Sequence, residues 1–227
     1  MKILALETTE QFGSVALRTE THGLAEIVLP KDRRSSQTLH LAMHTLFETT
    51  QTAPAEIDIV AVVAGPGSFT GLRVGVTAAK VFAYTMGTKV IALDTFQVVA
   101  SGTENAVSGS LMSIGVDAQR GEVIAAVLRR TEDGHIETVK EPELIPVADW
   151  WTHADQFDNV FLTGPALGRW STKVPSHIVL APETDWFPKA SVAGKLALLK
   201  KFDDVWSLQP IYSRPSAAEE KNQERWA

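Results

Sequence analysis

The chain of 227 residues contains no cysteine, which excludes a disulfide framework, a thiolate nucleophile and a zinc site built from thiolates. It also has no apolar run that approaches the ~20 residues of a membrane helix. The N-terminal apolar run ends at Glu7, too short for the core of a signal peptide. Positive charge is not in excess, with 21 lysines and arginines against 27 aspartates and glutamates. Because a protein that grips nucleic acid alone usually carries a basic face, we expect a cytoplasmic protein without strong direct binding to nucleic acid or membrane.

Common catalytic motifs are also missing. The sequence has neither a G-x-S-x-G turn nor an H-E-x-x-H helix. The stretch that begins at Gly65 is rich in glycine but lacks the lysine of a Walker loop. His40 and His44 lie four residues apart on a predicted helix, so both could face one ion. Since no third ligand is evident, we predict no metal site and interpret this pair as surface or interface residues.

The apolar pattern predicts an α/β protein with two related units. The first, residues 1–103, is predicted to contain three strands followed by helix, strand, helix and strand, at residues 2–7, 14–19, 23–29, 37–50, 57–64, about 69–86 and 89–93. Residues 101–110 are rich in glycine and serine and indicate a boundary. The smaller second unit, residues 104–227, again begins with three strands. Further strands are predicted at 160–164 and 177–181 with a short helix between them, then a helix at 188–201 and a polar tail from 216.

The glycine-rich stretch A-G-P-G-S-F-T-G-L-R joins a predicted strand to a predicted helix. Ser68 or Thr70 can cap that helix, and its first turn leaves free N–H groups that attract anions. The sequence therefore leaves two interpretations open, a plain strand-to-helix turn and an anion-binding loop made by Gly65, Gly67, Ser68, Thr70 and Arg73.

The helix after this loop carries a row of small residues at steps of four, Gly71, Gly75, Ala79 and Ala83. Such a row lets another backbone approach closely. Packing on an element of the same chain and packing on a second subunit remain equally open from the pattern alone.

Five segments together resemble the TsaB (YeaZ) family of tRNA threonylcarbamoyladenosine synthesis. The segment G-P-G-S-F-T-G-L-R-V-G-V-T-A-A-K-V-F-A resembles the family signature, and V-D-A-Q-R-G-E-V resembles its second conserved turn. The opening I-L-A-L-E-T-T, the helix S-S-Q-T-L-H-L-A-M-H-T-L-F and the ending Q-P-I-Y-S-R-P match the family as well. The resemblance spans nearly the whole chain.

This resemblance implies an actin-like fold of two subdomains, each a mixed sheet with flanking helices. It implies a TsaD-like catalytic partner and a TsaE-like ATPase, with ATP and metal held by those partners and tRNA reached only through the complex. Family members pair with TsaD, and with themselves, through the helices of the first subdomain. We therefore predict an interface at Leu39, Met43, Leu46, Gly71, Leu72, Gly75, Ala79 and Ala83.

The phosphate turns of this superfamily are predicted to be degenerate here. The first turn reads Glu7-Thr8-Thr9 where active relatives begin with aspartate, and the longer side chain would misplace its carboxylate. In the second turn, Asp117 is followed by side chains instead of glycines. The metal pair of TsaD corresponds to Leu93 and Gln97, which do not bind transition metals.

We therefore predict a non-catalytic partner subunit that supports TsaD in threonylcarbamoyl transfer to tRNA. The alternative is a stand-alone nucleotide-binding enzyme, either a kinase-like phosphotransferase or a glycoprotease-like peptidase.

Overall fold

The computed structural model describes residues 1–10, 12–20, 23–104, 106–212 and 214. Within them, the strands and α-helices follow in the order β1 (Ile3–Glu7), β2 (Ser14–Thr19), β3 (Gly23–Val28), α1 (Ser35–Thr49), β4 (Ile59–Gly65), α2 (Phe69–Met86), β5 (Lys89–Asp94), α3 (Thr95–Gly102), β6 (Leu111–Asp117), β7 (Glu122–Arg130), β8 (Ile136–Pro146), α4 (Val147–Ala154), β9 (Val160–Thr163), α5 (Leu167–Trp170) and α6 (Ala190–Leu196). None of the helices in these ranges is both long enough and apolar enough to span a membrane.

The first sheet has five strands in the order β3-β2-β1-β4-β5. β1 pairs with β2 in antiparallel fashion, with Glu7 opposite Ser14, and with β4 in parallel fashion. β1 and β4 are buried along their whole length, which explains why their sequences are continuous apolar runs instead of alternating ones. One face of this sheet packs against α1 and α2, and the other packs against α3 and α6.

The second sheet repeats this arrangement with four strands, in the order β8-β7-β6-β9. β6 pairs antiparallel with β7 and parallel with β9, as β1 does with β2 and β4. Its core contains Trp150, which is fully buried and donates a hydrogen bond from Nε1 to Ser113 Oγ at 2.9 Å. The predicted fold class, an α/β protein with two related mixed sheets and flanking helices, is confirmed.

The C-terminal part of the chain returns to the first sheet. Ala190, Ala193 and Ala197 are buried against Ile3 and Ala5 of β1 and their neighbours. The small side chains let this short helix approach the sheet closely. The division predicted at residue 103 stays a prediction, but α6 lies on the first sheet, across that division.

Several local predictions are wrong for identifiable reasons. In residues 177–181 only Leu180 pairs, in an isolated bridge with Leu162, and no strand forms because β9 itself ends at Thr163. The last helix is shorter than predicted and passes into a 3-10 turn at Ala197–Leu199. The sequence suggests Ser35 or Ser36 as the cap of α1, but the helix begins after Arg34, whose side chain makes no capping bond. α3 is missing from the sequence prediction because it follows β5 without a connecting loop. Asp94 is the last residue of β5 and also caps α3, since its Oδ1 accepts a hydrogen bond from Gln97 N at 3.1 Å. The predicted polar tail from residue 216 lies outside the described residues.

Candidate functional site

A cleft of about 860 Å³ lies between the two sheets, where β1, β4 and β6 end. Ligands of open α/β folds bind outside the carboxyl ends of strands, so this is the expected place for a site. Its rim carries cationic side chains from both units, and its wall includes Glu10 and Asp117, together with the helix starts at Ser35, Ser36, Ser68 and Thr70. The cationic residues are Lys31, Arg33, Arg34 and Arg169.

The first predicted phosphate turn is sealed inside the protein. Glu7, Thr8 and Thr9 have no exposed surface. Glu7 Oε1 accepts hydrogen bonds from Thr9 N and Thr9 Oγ1, both at 2.6 Å. Glu7 Oε2 has no partner among the described residues. Burial raises the pKa of Glu7 to about 8, against the lowering effect of the two Thr9 hydrogen bonds, so this side chain is a neutral carboxylic acid at pH 7.

The two acidic residues of the cleft wall do not form a metal site with their neighbours. Glu10 is half-buried, and burial together with the charges of Glu7 and Asp117 raises its pKa well above the ordinary value. Asp117 pairs with Arg169 at 3.3 Å and accepts from Gln119 N at 3.0 Å. Within the described ranges, no three histidine, aspartate or glutamate side chains are placed to hold an ion. The degeneracy of both turns stays a prediction, which these contacts support.

In the second turn, two residues with side chains precede Gly121 in backbone conformations that favour glycine. Gln119 and Arg120 have φ values of 66° and 55°, in the left-handed region that costs most residues roughly 1–2 kcal/mol. The Gln119 side chain lines the cleft, so it occupies space that a glycine would leave open.

The glycine-rich loop fits tightly against the first turn. Ser68 Oγ accepts from Gly71 N at 3.4 Å, which confirms Ser68 as the cap of α2, and Ser68 N donates to Thr9 O at 2.6 Å. A Cβ on Gly67 would lie 2.6 Å from the Thr9 Cβ. Close approach of the protein's own turn therefore explains this glycine without a ligand.

The predicted anion-binding loop is only partly assembled. Ser68 and Thr70 line the cleft. Gly65 is covered, because a Cβ at its position would lie 2.5 Å from Ile211 O. Arg73 is directed away from the cleft, since its Nε donates to Tyr212 Oη at 3.0 Å and its guanidinium lies 4.0 Å from the Phe69 ring centre. The part of Gly65 and Arg73 in an anion site stays a prediction, which these contacts do not support.

The row of small residues on α2 is not a surface. A Cβ on Gly71 would lie 1.9 Å from Thr8 O, and one on Gly75 would lie 2.3 Å from Thr8 Oγ1. Ala79 and Ala83 are buried in the core under the first sheet. The row therefore receives the residue 7–9 turn of its own subunit, and its prediction as a seat for a second protein is corrected.

An open groove of about 710 Å³ lies between α1 and α2, on the other side of α2. Leu39 and Met43, from the predicted interface, line it, whereas Leu46 and Leu72 are buried in the core with the glycine row. Its remaining apolar lining comes mainly from α2, at Phe69, Val74, Ala78 and Val81. Val74, Ala78 and Val81 are spaced as one helix face, so the sequence contained a signal for this groove that the glycine pattern obscured.

Two other candidates carry no chemistry in this structure. His40 and His44 are exposed, and His44 lies 3.9 Å from Glu48 across one turn of α1. Leu93 is buried in the core of the first unit, and Gln97 lies in the first turn of α3.

Comparison with known proteins gives one family and several close folds. The model of the family described as TsaD, tRNA N6-adenosine threonylcarbamoyltransferase, matches residues 23–180. The tRNA threonylcarbamoyladenosine biosynthesis protein TsaB of Bacillus subtilis is 29% identical over 97% of both chains. TsaB of Escherichia coli is 27% identical over 97% of this chain and 98% of its own. YeaZ from Pseudomonas aeruginosa has the same fold, with a TM-score of 0.75, 20% identity, and coverage of 93% of this chain and 99% of that one.

Proposed function

The chain belongs to the family of TsaD, tRNA N6-adenosine threonylcarbamoyltransferase, and from this premise we propose that it is a non-catalytic subunit of tRNA threonylcarbamoyladenosine synthesis. The relatives that match it over nearly their whole length are TsaB proteins, as the sequence predicted. The chain supports a TsaD-like subunit in the cytoplasm. That subunit carries the metal and the chemistry, a TsaE-like ATPase completes the assembly, and tRNA is reached through the complex.

The sealed first turn is the observation that carries this proposal. A nucleotide phosphate needs an accessible turn with free N–H groups, and its metal ion is held through an ionised carboxylate. Here Thr8 and Thr9 are covered, and the Glu7 carboxyl is neutral at pH 7 because of its burial. A chain of this family whose first turn offers no charged carboxylate to the cleft contributes through contact with a partner.

The groove between α1 and α2 is the surface we assign to that contact. It is lined by apolar side chains from both helices, and Val81 at its edge is 59% exposed. Apolar groups that fill such a groove on association supply the burial that drives binding. The same groove accommodates a second copy of the chain when TsaD is absent, which accounts for the predicted homodimer.

Reconstitution tests the proposal directly. The chain alone, with threonylcarbamoyl adenylate, ATP, magnesium and tRNA, should form no modified tRNA, and addition of the TsaD-like and TsaE-like proteins of the same organism should give the modified tRNA. Full activity of the other subunits without this chain would contradict the proposal. Tight binding of ATP and magnesium by the isolated chain in calorimetry would favour the kinase-like alternative.

Val81→Glu tests the groove separately. A charge at this edge should weaken co-purification with the TsaD-like subunit and shift the homodimer towards monomer in light scattering. Val179→Glu is the matched control, because Val179 is 64% exposed and lies outside the groove. Equal behaviour of the two variants would remove the groove from the proposal while leaving the role in the pathway untouched.

A further inference from the structure

We propose that the C-terminal segment, residues 203–212 together with Arg214, is a clamp that fixes the angle between the two units, so that the cleft is held closed without a bound ligand. This segment contains the Q-P-I-Y-S-R motif, to which the proposed function assigns no role. The inference concerns this chain alone and does not depend on a partner.

The clamp begins on the edge of the first sheet. Asp203 N donates to Val90 O at 2.9 Å, and Asp203 Oδ2 accepts from Ala92 N at 2.7 Å, so both the backbone and the side chain of Asp203 are hydrogen-bonded to β5. Leu208 is buried in the core. Lys80 Nζ of α2 donates to Leu208 O at 3.1 Å. These contacts anchor the first half of the segment to the first unit.

The motif then crosses the start of α2. Ile211 N donates to Ala64 O at 2.7 Å, directly over Gly65, where no side chain would fit. The Tyr212 ring lies 4.7 Å from the Phe69 ring, and its hydroxyl accepts from Arg73 Nε. The glycine at position 65 is thus required by the clamp, and the end of β4 is tied to residue 211.

Arg214 carries the segment to the second unit. Its Nη1 donates to Ala118 O at 3.2 Å, and its guanidinium forms an ion pair with Glu122. Both side chains of the pair are largely buried, with 21% and 32% of their surface exposed. Ala118 and Glu122 close the turn between β6 and β7, through a hydrogen bond from Ala118 N to Glu122 O at 3.0 Å. The guanidinium therefore holds the turn that follows Asp117.

The reach of the chain makes this a tight tether. Two residues of extended chain span at most about 7 Å, so the α carbons of Tyr212 and Arg214 cannot separate further. Opening the cleft would pull the β6–β7 turn away from α2 and would break the Arg214 contacts or the Tyr212 contacts. In proteins that close around a ligand, the ligand supplies this bridge; here a segment of the chain supplies it.

The absence of cysteine gives a clean experiment. Thr45→Cys on α1 and Thr152→Cys on α4 are exposed positions in the two units, and spin labels there report the distance between the units. Mixed with an excess of unlabelled chain, so that distances between two copies do not contribute, the labelled protein should show one narrow distance distribution that is unchanged by ATP and magnesium. Arg214→Gln should broaden the distribution and shift it to longer distances.

Two further variants keep the result interpretable. Arg129→Gln removes an ion pair with Glu137 inside the second unit and should leave the distribution as in the parent. Arg214→Glu combined with Glu122→Arg rebuilds the ion pair without the hydrogen bond to Ala118 O, and should bring the distribution back towards that of the parent even if Arg214→Gln alone folds poorly. An unchanged distribution in Arg214→Gln, or a parent distribution that narrows only when ATP is added, would overturn the clamp.

Discussion

Replacement of Glu7 by glutamine should stabilise the protein, and more so as the pH rises. Glu7 is fully buried, and its pKa is about 8 in the folded state against an ordinary value of 4.5. Between these two values the folded state keeps a proton that the unfolded state has released. The free energy of unfolding therefore falls as the pH rises through this window and levels off above pH 8.

The magnitude follows from the two pKa values. At about 1.4 kcal/mol per pKa unit, the full penalty at high pH is on the order of 5 kcal/mol. Roughly 2 kcal/mol of it is already present at pH 6, so about 3 kcal/mol remains to appear between pH 6 and pH 9. Glutamine has the shape of the protonated acid, and its carbonyl oxygen can accept the same two hydrogen bonds from Thr9, so Glu7→Gln should remove this pH-dependent loss.

The assay is urea unfolding of both proteins at pH 6, 7.5 and 9, followed by circular dichroism and tryptophan fluorescence. Coincident transitions are needed so that a single free energy is defined. Subtracting parent from variant cancels the titration of the groups that do not interact with Glu7. Glu132→Gln, which makes the same change at an exposed position, is the control.

A Glu7→Gln advantage that is constant from pH 6 to pH 9 would refute the reasoning. Glu7 would then be ionised in the folded protein already at pH 6, and the first turn would offer a carboxylate after all. The argument that this turn cannot serve a nucleotide and its metal would fall with it.

Two further predictions concern the glycine row and the second turn. Gly71→Ala should lower the free energy of unfolding by about 2–3 kcal/mol, because its Cβ would lie 1.9 Å from Thr8 O. Gly194→Ala is the control. Its Cβ would make an ordinary 3.5 Å contact, so the substitution should be neutral or stabilising by up to about 1 kcal/mol. Equal costs in thermal or urea unfolding would contradict the close approach. Gln119→Gly should raise the free energy of unfolding by up to about 1 kcal/mol, because it removes left-handed strain at φ 66°, and a loss of stability in the same assay would show that the Gln119 side chain contributes more than its strain costs.

The sequence predicts most of the fold because its signals are local. The apolar runs of β1 and β4 and the glycine at position 87, which ends α2 with a φ of 69°, act through neighbouring residues. The packing of α6 on the first sheet could not be predicted in this way. Its contacts join residues near position 190 to residues near position 5, and no periodicity in a short segment reports such a pairing.

The candidate site was predicted less well than the fold, and the glycine row shows why. The spacing of Gly71, Gly75, Ala79 and Ala83 states that something approaches α2 closely, but it does not state what. The structure identifies the approaching group as the Thr8 backbone and side chain. Likewise, the position of Arg73 beside the glycine loop suggests an anion ligand. Only the structure shows that its guanidinium instead donates to the distant Tyr212 hydroxyl.

The two faces of α2 connect the sealed turn to the groove. On its inner face, Gly71 and Gly75 lie against Thr8, and Thr8 Oγ1 donates to Gly71 O at 2.8 Å. On its outer face, Val74, Ala78 and Val81 line the groove. Because a packed contact with no spare volume has few alternative arrangements, the turn fixes the rotation and height of the helix. The position of the groove-lining residues is therefore set by the residue 7–9 turn, which gives that turn a structural role that is independent of nucleotide binding.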